Sequence, residues 1–330
     1  MKVILNSALI FGVIFIYFAS TGKAQFPPPV GRPGTTAIYK DSSAFIGWAT
    51  GCTVHRGYIK ISDTTLSFQG SNKASYGLDT NALGKADDSP VSLGDGGYAI
   101  LTFDRPIVNG PGFDFAVFEN GLDSSFLELA FVEVSSDGIN YFRFPAISDT
   151  QDTLQIPTFG KVEARKINNL AGKYQAMFGT PFDLDTLKGN AGLDLDKIQY
   201  VKVMDVVGCI QTPYATYDSR GHKVNDPWPT PFNTGGFDLD AVGVIHMAGN
   251  ASDDQVFLYP NPFGETITIN IRNGKNYNLE LRDISGNLIL NKMNIRNNTT
   301  LDLGYLPSGF FLGTFTFEDG TKEVKKIIKR

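Results

Sequence analysis

The chain of 330 residues contains few of the residue types on which most catalytic and metal centres depend, with two cysteines and three histidines. His55, His222 and His246 lie far apart, and no GxSxG or HExxH motif is present, which excludes the hydrolase and zinc-protease sites that those motifs define. Cys52 and Cys209 lack the CxxC spacing of a redox or zinc site. We therefore expect a protein that is not an enzyme of a recognisable catalytic class.

Helix-periodic runs are also scarce, whereas glycine (35), proline (17) and phenylalanine (25) are plentiful. Short runs of aromatic and branched residues between turn-forming residues predict an all-β chain. The clearest of these runs occupy residues 91–121 and 235–246, which we interpret as the first and last parts of one β-domain. Residues 163–178 are the one segment predicted to form a short helix, interrupted at Gly172.

A hydrophobic run long enough to span a membrane is lacking as well. Lys2 precedes an apolar run at residues 3–18, which is short for a membrane span, and small residues follow it. This pattern predicts a secretory signal peptide over residues 1–24, cleaved between Ala24 and Gln25. In an oxidising compartment Cys52 and Cys209 could form a disulfide, or each could be a small buried thiol, and the sequence leaves both open.

Charge divides the chain. The formal net charge is -5, but residues 25–254 carry -10 and residues 255–330 carry +3. An acidic main segment argues against a nucleic-acid or anionic-membrane partner and suits cation binding. Composition predicts a Pro-rich leader at 25–36, a main domain at 37–246, a linker at 247–254 and a second domain at 255–330. The six or seven short strands of this second domain predict a small immunoglobulin-like β-sandwich.

Carboxylates at the ends of the main domain indicate a cation site. Asp238 and Asp240 lie two residues apart on the closing strand, where alternation would place both on the side of Val242 and Val244. Two buried carboxylates side by side are costly unless a cation neutralises them, and calcium accepts six to eight oxygen ligands. The alternative is that the aspartates accept backbone N–H groups in turns. The predicted metal ligands are Asp87, Asp88, Glu119, Asn120, Asp238 and Asp240.

Aromatic residues in turn-rich segments indicate a binding platform, because a sugar face stacks on such rings. The alternative is that each ring is buried as part of the core. The candidates are Trp48, Tyr76, Tyr214, Tyr217 and Trp228. Glycoside hydrolysis is the enzymatic alternative, because Glu119, Glu128 and Glu133 lie on or beside strands where one could be an acid and another a base.

The second domain carries five motifs in order, which together resemble the C-terminal sorting domain of type IX secretion cargo from Bacteroidetes. They are YPNP (259–262), LRDISG (281–286), LDL (301–303), LPSG (306–309) and the basic KKIIK (325–329). The resemblance implies export across the outer membrane with the type IX machinery as partner, followed by release or attachment at the cell surface.

The main domain resembles bacterial cell-surface domains related to galactose-binding and discoidin-like jelly-rolls. The resemblance is carried by residues 92–121, by ELAFVEVSSDG (128–138) and by DPWPTPFNTGGFDLDAVGVI (226–245). It implies a jelly-roll β-sandwich with a structural calcium. We therefore expect an exported, non-catalytic carbohydrate-binding protein. The alternatives are capture of a small nutrient or cofactor for an outer-membrane importer, adhesion, and glycoside hydrolysis.

Overall fold

A computed structural model describes residues 26–248, 256–271, 276–296, 299–318 and 320–330. The predicted signal peptide lies outside these residues, and so does most of the predicted linker. None of the helical segments within the described ranges is long and apolar enough to cross a membrane.

Strands dominate the described residues, which contain no α-helix and three short 3-10 turns, at Asp79–Ala82, Ala164–Lys166 and Leu184–Leu187. The strands of the first domain are β1 Ile38–Tyr39, β2 Gly47–Trp48, β3 Gly51–His55, β4 Val91–Ser92, β5 Tyr98–Ile107, β6 Phe115–Glu119, β7 Ala130–Ser135, β8 Phe142–Arg143, β9 Ile147–Ser148, β10 Ile167–Asn168, β11 Phe178–Phe182, β12 Ile198–Asp205 and β13 Asp238–Val244. The strands of the second domain are β14 Val256–Tyr259, β15 Thr266–Ile271, β16 Tyr277–Asp283, β17 Leu288–Ile295, β18 Thr299–Asp302, β19 Gly309–Phe317 and β20 Lys322–Lys329.

Eight strands of the first domain form a jelly-roll. One sheet contains the order β4–β13–β6–β11 and the other β5–β12–β7–β8, with every pairing antiparallel. Successive strands repeatedly cross from one sheet to the other, as in a double Greek key. Strands β1 and β2 extend the first sheet, β3 extends the second, and β9 pairs with β10 apart from both. The predicted jelly-roll sandwich is therefore the observed architecture.

The main core lies between the two sheets, where Leu101, Val132 and Val201 from one sheet meet Phe115 and Val242 from the other. Strand β12 alternates buried with partly exposed residues, as expected when one face is covered. Strands β6 and β13 are buried along their whole length. Loops therefore cover the outer face of their sheet, and this cover creates the enclosed end described below.

The predicted helix over residues 163–178 is not formed. Only Ala164–Lys166 makes a helical turn, and β10 and the start of β11 occupy the same segment. Gly172 has φ +77°, and a Cβ there would overlap the carbonyl oxygen of Glu128. The neighbouring Ala171 exchanges backbone hydrogen bonds with Ala130. The apolar spacing that suggested a helix instead serves an irregular chain that covers the second sheet.

The Pro-rich leader packs against the domain, although its sequence shows no packing pattern. The Phe26 N–H donates to the Arg165 carbonyl over 3.0 Å. The Thr36 hydroxyl lies 2.8 Å from the Tyr174 hydroxyl. Individual contacts of this kind have no sequence period, which explains why the pattern did not predict them.

The second domain is a smaller sandwich of seven strands, as the sequence predicted. Its sheets have the orders β14–β15–β18 and β17–β16–β19–β20. Their inner faces share one core, to which Ile269, Leu281 and Phe315 contribute.

Candidate functional site

Antiparallel pairing brings three acidic residues to one end of the jelly-roll. Glu119 ends β6, and its register partner Leu239 directly follows Asp238, the first residue of β13. Glu128 lies in the segment that leads into β7 of the opposite sheet. Residues more than a hundred positions apart in sequence therefore meet at the point where both sheets end.

These acidic side chains line a cavity of about 350 Å³. Most of its wall comes from loops, which are the usual place for binding residues on a rigid β-scaffold. The lining residues are Tyr76, Glu119, Asn120, Gly121, Leu122, Phe126, Glu128, Thr158, Phe159, Thr230, Phe232, Thr234 and Asp238.

Aromatic rings form the mouth of the cavity. Phe126 and Phe159 have ring centroids 6.2 Å apart, and Phe159 and Phe232 have centroids 6.4 Å apart. Phe159 is 72% exposed and Tyr76 is 44% exposed, whereas Glu119 and Asp238 are only 2% and 7% exposed. The site thus combines an exposed aromatic rim with a deep acidic interior.

Burial dominates the electrostatics of this interior. It raises the pKa of Asp238 to about 7, partly offset by the Ser92 side chain and then by the positive charge of Arg56. Burial and the nearby charges of Asp238 and Asp240 raise the pKa of Glu119 well above its ordinary value. The pKa of Glu128 is raised in the same way, by burial and then by Asp238 and Glu119. The three groups therefore resist ionising together.

Gly121 lies close against the carboxylate of Glu119. Oε2 of Glu119 accepts the N–H of Gly121 over 2.8 Å. A Cβ on Gly121 would lie 2.8 Å from the same oxygen. The Glu-Asn-Gly sequence therefore turns the chain closely around the carboxylate and holds it at the cavity.

The structure divides the predicted metal ligands into two groups. Glu119, Asn120 and Asp238 line the cavity. The carboxylate of Asp240 instead accepts the N–H groups of Asp87 and Asp88, each over 3.3 Å, and so fastens their loop to β13.

Asp238 and Asp240 on β13 are both buried. The prediction that they lie on the same side of the strand as Val242 and Val244 is wrong. The pairing with β6 shifts register between Leu239 and Ala241, so that Leu239 joins Val242 and Val244 in the main core. The cause is a local bulge, which changes the side of the sheet that following residues face.

Within the described residues, no three His, Cys, Asp or Glu side chains are arranged to hold a metal ion. Calcium therefore stays a prediction, and the candidate ligands for it are those on the cavity wall.

Of the five predicted aromatic binding residues, only Tyr76 lines the cavity. Trp228 is 6% exposed, and its Nε1 donates to Asp95 over 3.0 Å. Tyr214 packs against the cluster that contains Trp228. Trp48 packs against other rings beneath the loops, and Tyr217 is 46% exposed away from the cavity.

Three phenylalanines, Phe126, Phe159 and Phe232, form most of the aromatic rim and were not predicted. Each lies in a segment rich in Gly, Pro, Ser or Thr, the same signal that was applied only to Trp and Tyr. Three hydroxyl-bearing residues of the lining, Thr158, Thr230 and Thr234, lie in the segments of Phe159 and Phe232.

Both cysteines are free thiols. Cys52 on β3 packs against the main core, while Cys209 is buried in the separate cluster with Trp228. Of the two alternatives that the sequence left open, the structure therefore shows two separate thiols.

Other buried carboxylates hold the loops that shape this end. Asp205 accepts the N–H groups of Gly96 (3.0 Å) and Phe237 (2.8 Å). Asp226 accepts the N–H of Leu129 over 2.8 Å. These bonds fix the segments just before Asp238 and just after Glu128, so they support the cavity without lining it.

The comparisons with known proteins concern mainly the second domain. Residues 257–330 match the family described as the secretion system C-terminal sorting domain. This domain indicates export by type IX secretion to the cell surface or the extracellular space. No curated protein sequence matches the chain.

The similar solved structures are distant. PorZ, a surface component of the type IX secretion system of Porphyromonas gingivalis, is 12% identical with a TM-score of 0.20, covering 42% of this chain and 23% of that one. A Faecalibacterium prausnitzii β-glucuronidase is 11% identical with a TM-score of 0.25, covering 87% and 46%. A biofilm-associated BSP domain is 10% identical with a TM-score of 0.19, covering 71% and 48%. The chain spans less than half the length of each, and these likenesses carry no argument about its function.

Proposed function

We propose that this exported protein binds carbohydrate, non-catalytically, in the cavity at the end of its jelly-roll. The observation that supports the proposal most is the combination of an exposed aromatic rim with deep carboxylates. Aromatic faces stack on the apolar faces of sugars, and carboxylates accept hydrogen bonds from hydroxyl groups. The volume of about 350 Å³ suits one or two sugar units rather than a protein segment.

The test is a glycan-array screen of the mature full chain, followed by calorimetry with the best ligand. Phe159→Ala should weaken binding on the order of 10-fold, because a stacked ring contributes about 1 kcal/mol or more. Phe159 is 72% exposed, so its removal leaves the fold intact. The matched control is Tyr305→Ala, an aromatic residue of the second domain that is 67% exposed.

Equal affinity of Phe159→Ala and the parent protein would place the sugar elsewhere. A screen without any carbohydrate ligand would overturn the proposal.

Glycoside hydrolysis is the second candidate. It is favoured by one observation: Glu119 and Glu128 share the cavity, and burial keeps their pKa values high, as a proton donor requires. Incubation of bound oligosaccharides with the protein, followed by product analysis, decides between the candidates. Turnover by the parent protein that disappears in Glu119→Gln, with binding retained, would establish hydrolysis and replace the non-catalytic proposal.

A further inference from the structure

The cavity wall carries acidic residues and no basic residue. Of the residues that line it, Glu119, Glu128 and Asp238 are acidic, and none is Lys, Arg or His. The remaining lining residues are aromatic, aliphatic, hydroxyl-bearing or amide-bearing. A neutral sugar needs hydrogen-bond acceptors, but it does not need three carboxylates in one small enclosure.

Two other buried carboxylates of the same domain have cationic partners. Glu133 contacts Arg143 at 2.8 Å and Lys202 at 3.1 Å. Asp218 contacts Arg220 at 3.3 Å. Others, such as Asp205, accept backbone N–H groups instead. The buried acids outside the cavity therefore have donors within the chain, either basic groups or N–H groups.

Asp238 shows the difference most clearly. It is 7% exposed, it lines the cavity, and its Oδ1 has no hydrogen-bond partner. The positive charge of Arg56 acts on it, and the Arg56 guanidinium donates to the backbone carbonyls of Tyr76, Gly77 and Ser92 at 2.6–2.7 Å. The guanidinium is thus hydrogen-bonded to backbone carbonyls, and Arg56 is not among the lining residues. A buried acceptor without a partner is costly unless a ligand supplies the donor.

We propose that the ligand of this cavity carries an ammonium group, which the carboxylates of Asp238, Glu119 and Glu128 receive. The inference rests on the proposed function and narrows it to sugars with a free amine. The rim of Phe126, Phe159, Phe232 and Tyr76 favours an organic cation over a bare metal ion, because aromatic faces attract cations and stack on sugar rings.

The experiment is calorimetry of the mature full chain with three tetrasaccharides: a glucosamine oligomer, its N-acetylated form and a glucose oligomer. The glucosamine oligomer should bind at least about 10-fold more tightly than the other two, because charge-assisted hydrogen bonds contribute about 1.5–3 kcal/mol. Its affinity should also fall as salt is raised. Asp238→Asn should remove most of this preference, and Glu119→Gln should do so independently.

The matched control is Asp194→Asn, the same substitution at an exposed loop residue, which should leave the preference unchanged. Equal binding of all three oligosaccharides would overturn the ammonium inference while retaining carbohydrate binding. Spermidine binding as tightly as the glucosamine oligomer would retain the cationic site and overturn the sugar. Displacement of the glucosamine oligomer by micromolar calcium would assign the carboxylates to a metal instead.

Discussion

The first domain buries nine carboxylates, whereas the described residues of the second domain bury one, Glu323, which lies 2.9 Å from Lys325. Both domains are sandwiches of antiparallel sheets with an apolar core between them. A sandwich of this kind therefore forms with a single buried acid, and the nine of the first domain need another explanation. Some fasten loops, as Asp205 and Asp226 do, and others face the cavity, as Glu119 and Asp238 do.

The difference in buried carboxylates indicates that the two domains have different roles. The second domain matches a sorting family along nearly its whole length, so its role is export. The first domain holds its acidic groups where burial raises their pKa values, an arrangement that tends to accompany binding or catalytic sites.

The largest expected effect concerns the role of the second domain in export. Deletion of residues 257–330 should abolish display of the protein outside the cell, because the sorting domain is what the secretion machinery recognises. Surface labelling and immunoblotting of the medium measure this in the native host. Asp238→Asn is the control and should be exported normally. Undiminished export of the shortened chain would mean that the first domain carries a second signal.

The next test concerns carboxylates that fasten loops. Asp205→Ala leaves the N–H groups of Gly96 and Phe237 without their acceptor. The free energy of unfolding should fall by about 2 to 4 kcal/mol, since each buried unsatisfied donor costs about 1–3 kcal/mol. Urea unfolding measures the change. Asp194→Ala, at an exposed position, should stay within about 0.5 kcal/mol of the parent. Similar unfolding midpoints for both variants would show that the buried bond is dispensable.

A pH experiment tests whether the acids of the first domain are buried as the structure shows. Burial raises the pKa of Asp95 from 3.8 to about 6, against the hydrogen bonds from the Ile61 N–H and Trp228 Nε1. The folded state therefore favours the protonated form of Asp95. The contribution of this protonated acid to the free energy of unfolding is complete below pH 4 and is lost as the pH rises through 6. Asp95→Asn keeps an acceptor oxygen but no charge. Relative to the parent, its stability should rise as the pH increases from 3 to 7, by up to about 3 kcal/mol.

Calorimetric scans at several pH values provide the measurement. The charges of Asp205 and Asp226 act together with Asp95, so relief of repulsion adds to the effect in the same direction. A difference between variant and parent that is constant with pH would contradict the buried-acid assignment.

The smallest expected effect concerns calcium. If calcium binds at the cavity acids, its addition should raise the Tm of the first domain, with about 2.7 kcal/mol of stabilisation at a concentration 100 times the Kd. Scanning calorimetry with calcium and with a chelator, together with metal analysis, measures this. The shift should disappear in Asp238→Ala and persist in Asp194→Ala. Identical scans with and without calcium would remove it as a cofactor.

The sequence alone determined the export signal at the C-terminus, the all-β class, the jelly-roll and the position of the acidic strand ends. The export signal, the all-β class and the strand ends follow from local patterns: strand alternation, turn residues and a linear series of motifs. The jelly-roll was expected from the resemblance of the main domain to bacterial cell-surface domains. Glu119 and Asp238 were predicted because a carboxylate that ends a strand is visible in the sequence. Their neighbours Phe126, Phe159 and Phe232 look like many other loop residues.

Only the tertiary structure decided which of these residues meet. The register of β6 against β13 places Glu119 beside Asp238. Asp238 lines the cavity, whereas Asp240 accepts N–H groups from the loop of Asp87 and Asp88. Four loops from distant parts of the chain close the cavity, and no sequence period encodes their approach. From the sequence, Trp228 was equally a candidate for ligand binding and for the core. The structure shows it buried, with its Nε1 donating to the buried Asp95. Strand identity is a property of neighbours in sequence, whereas a site is a property of neighbours in space.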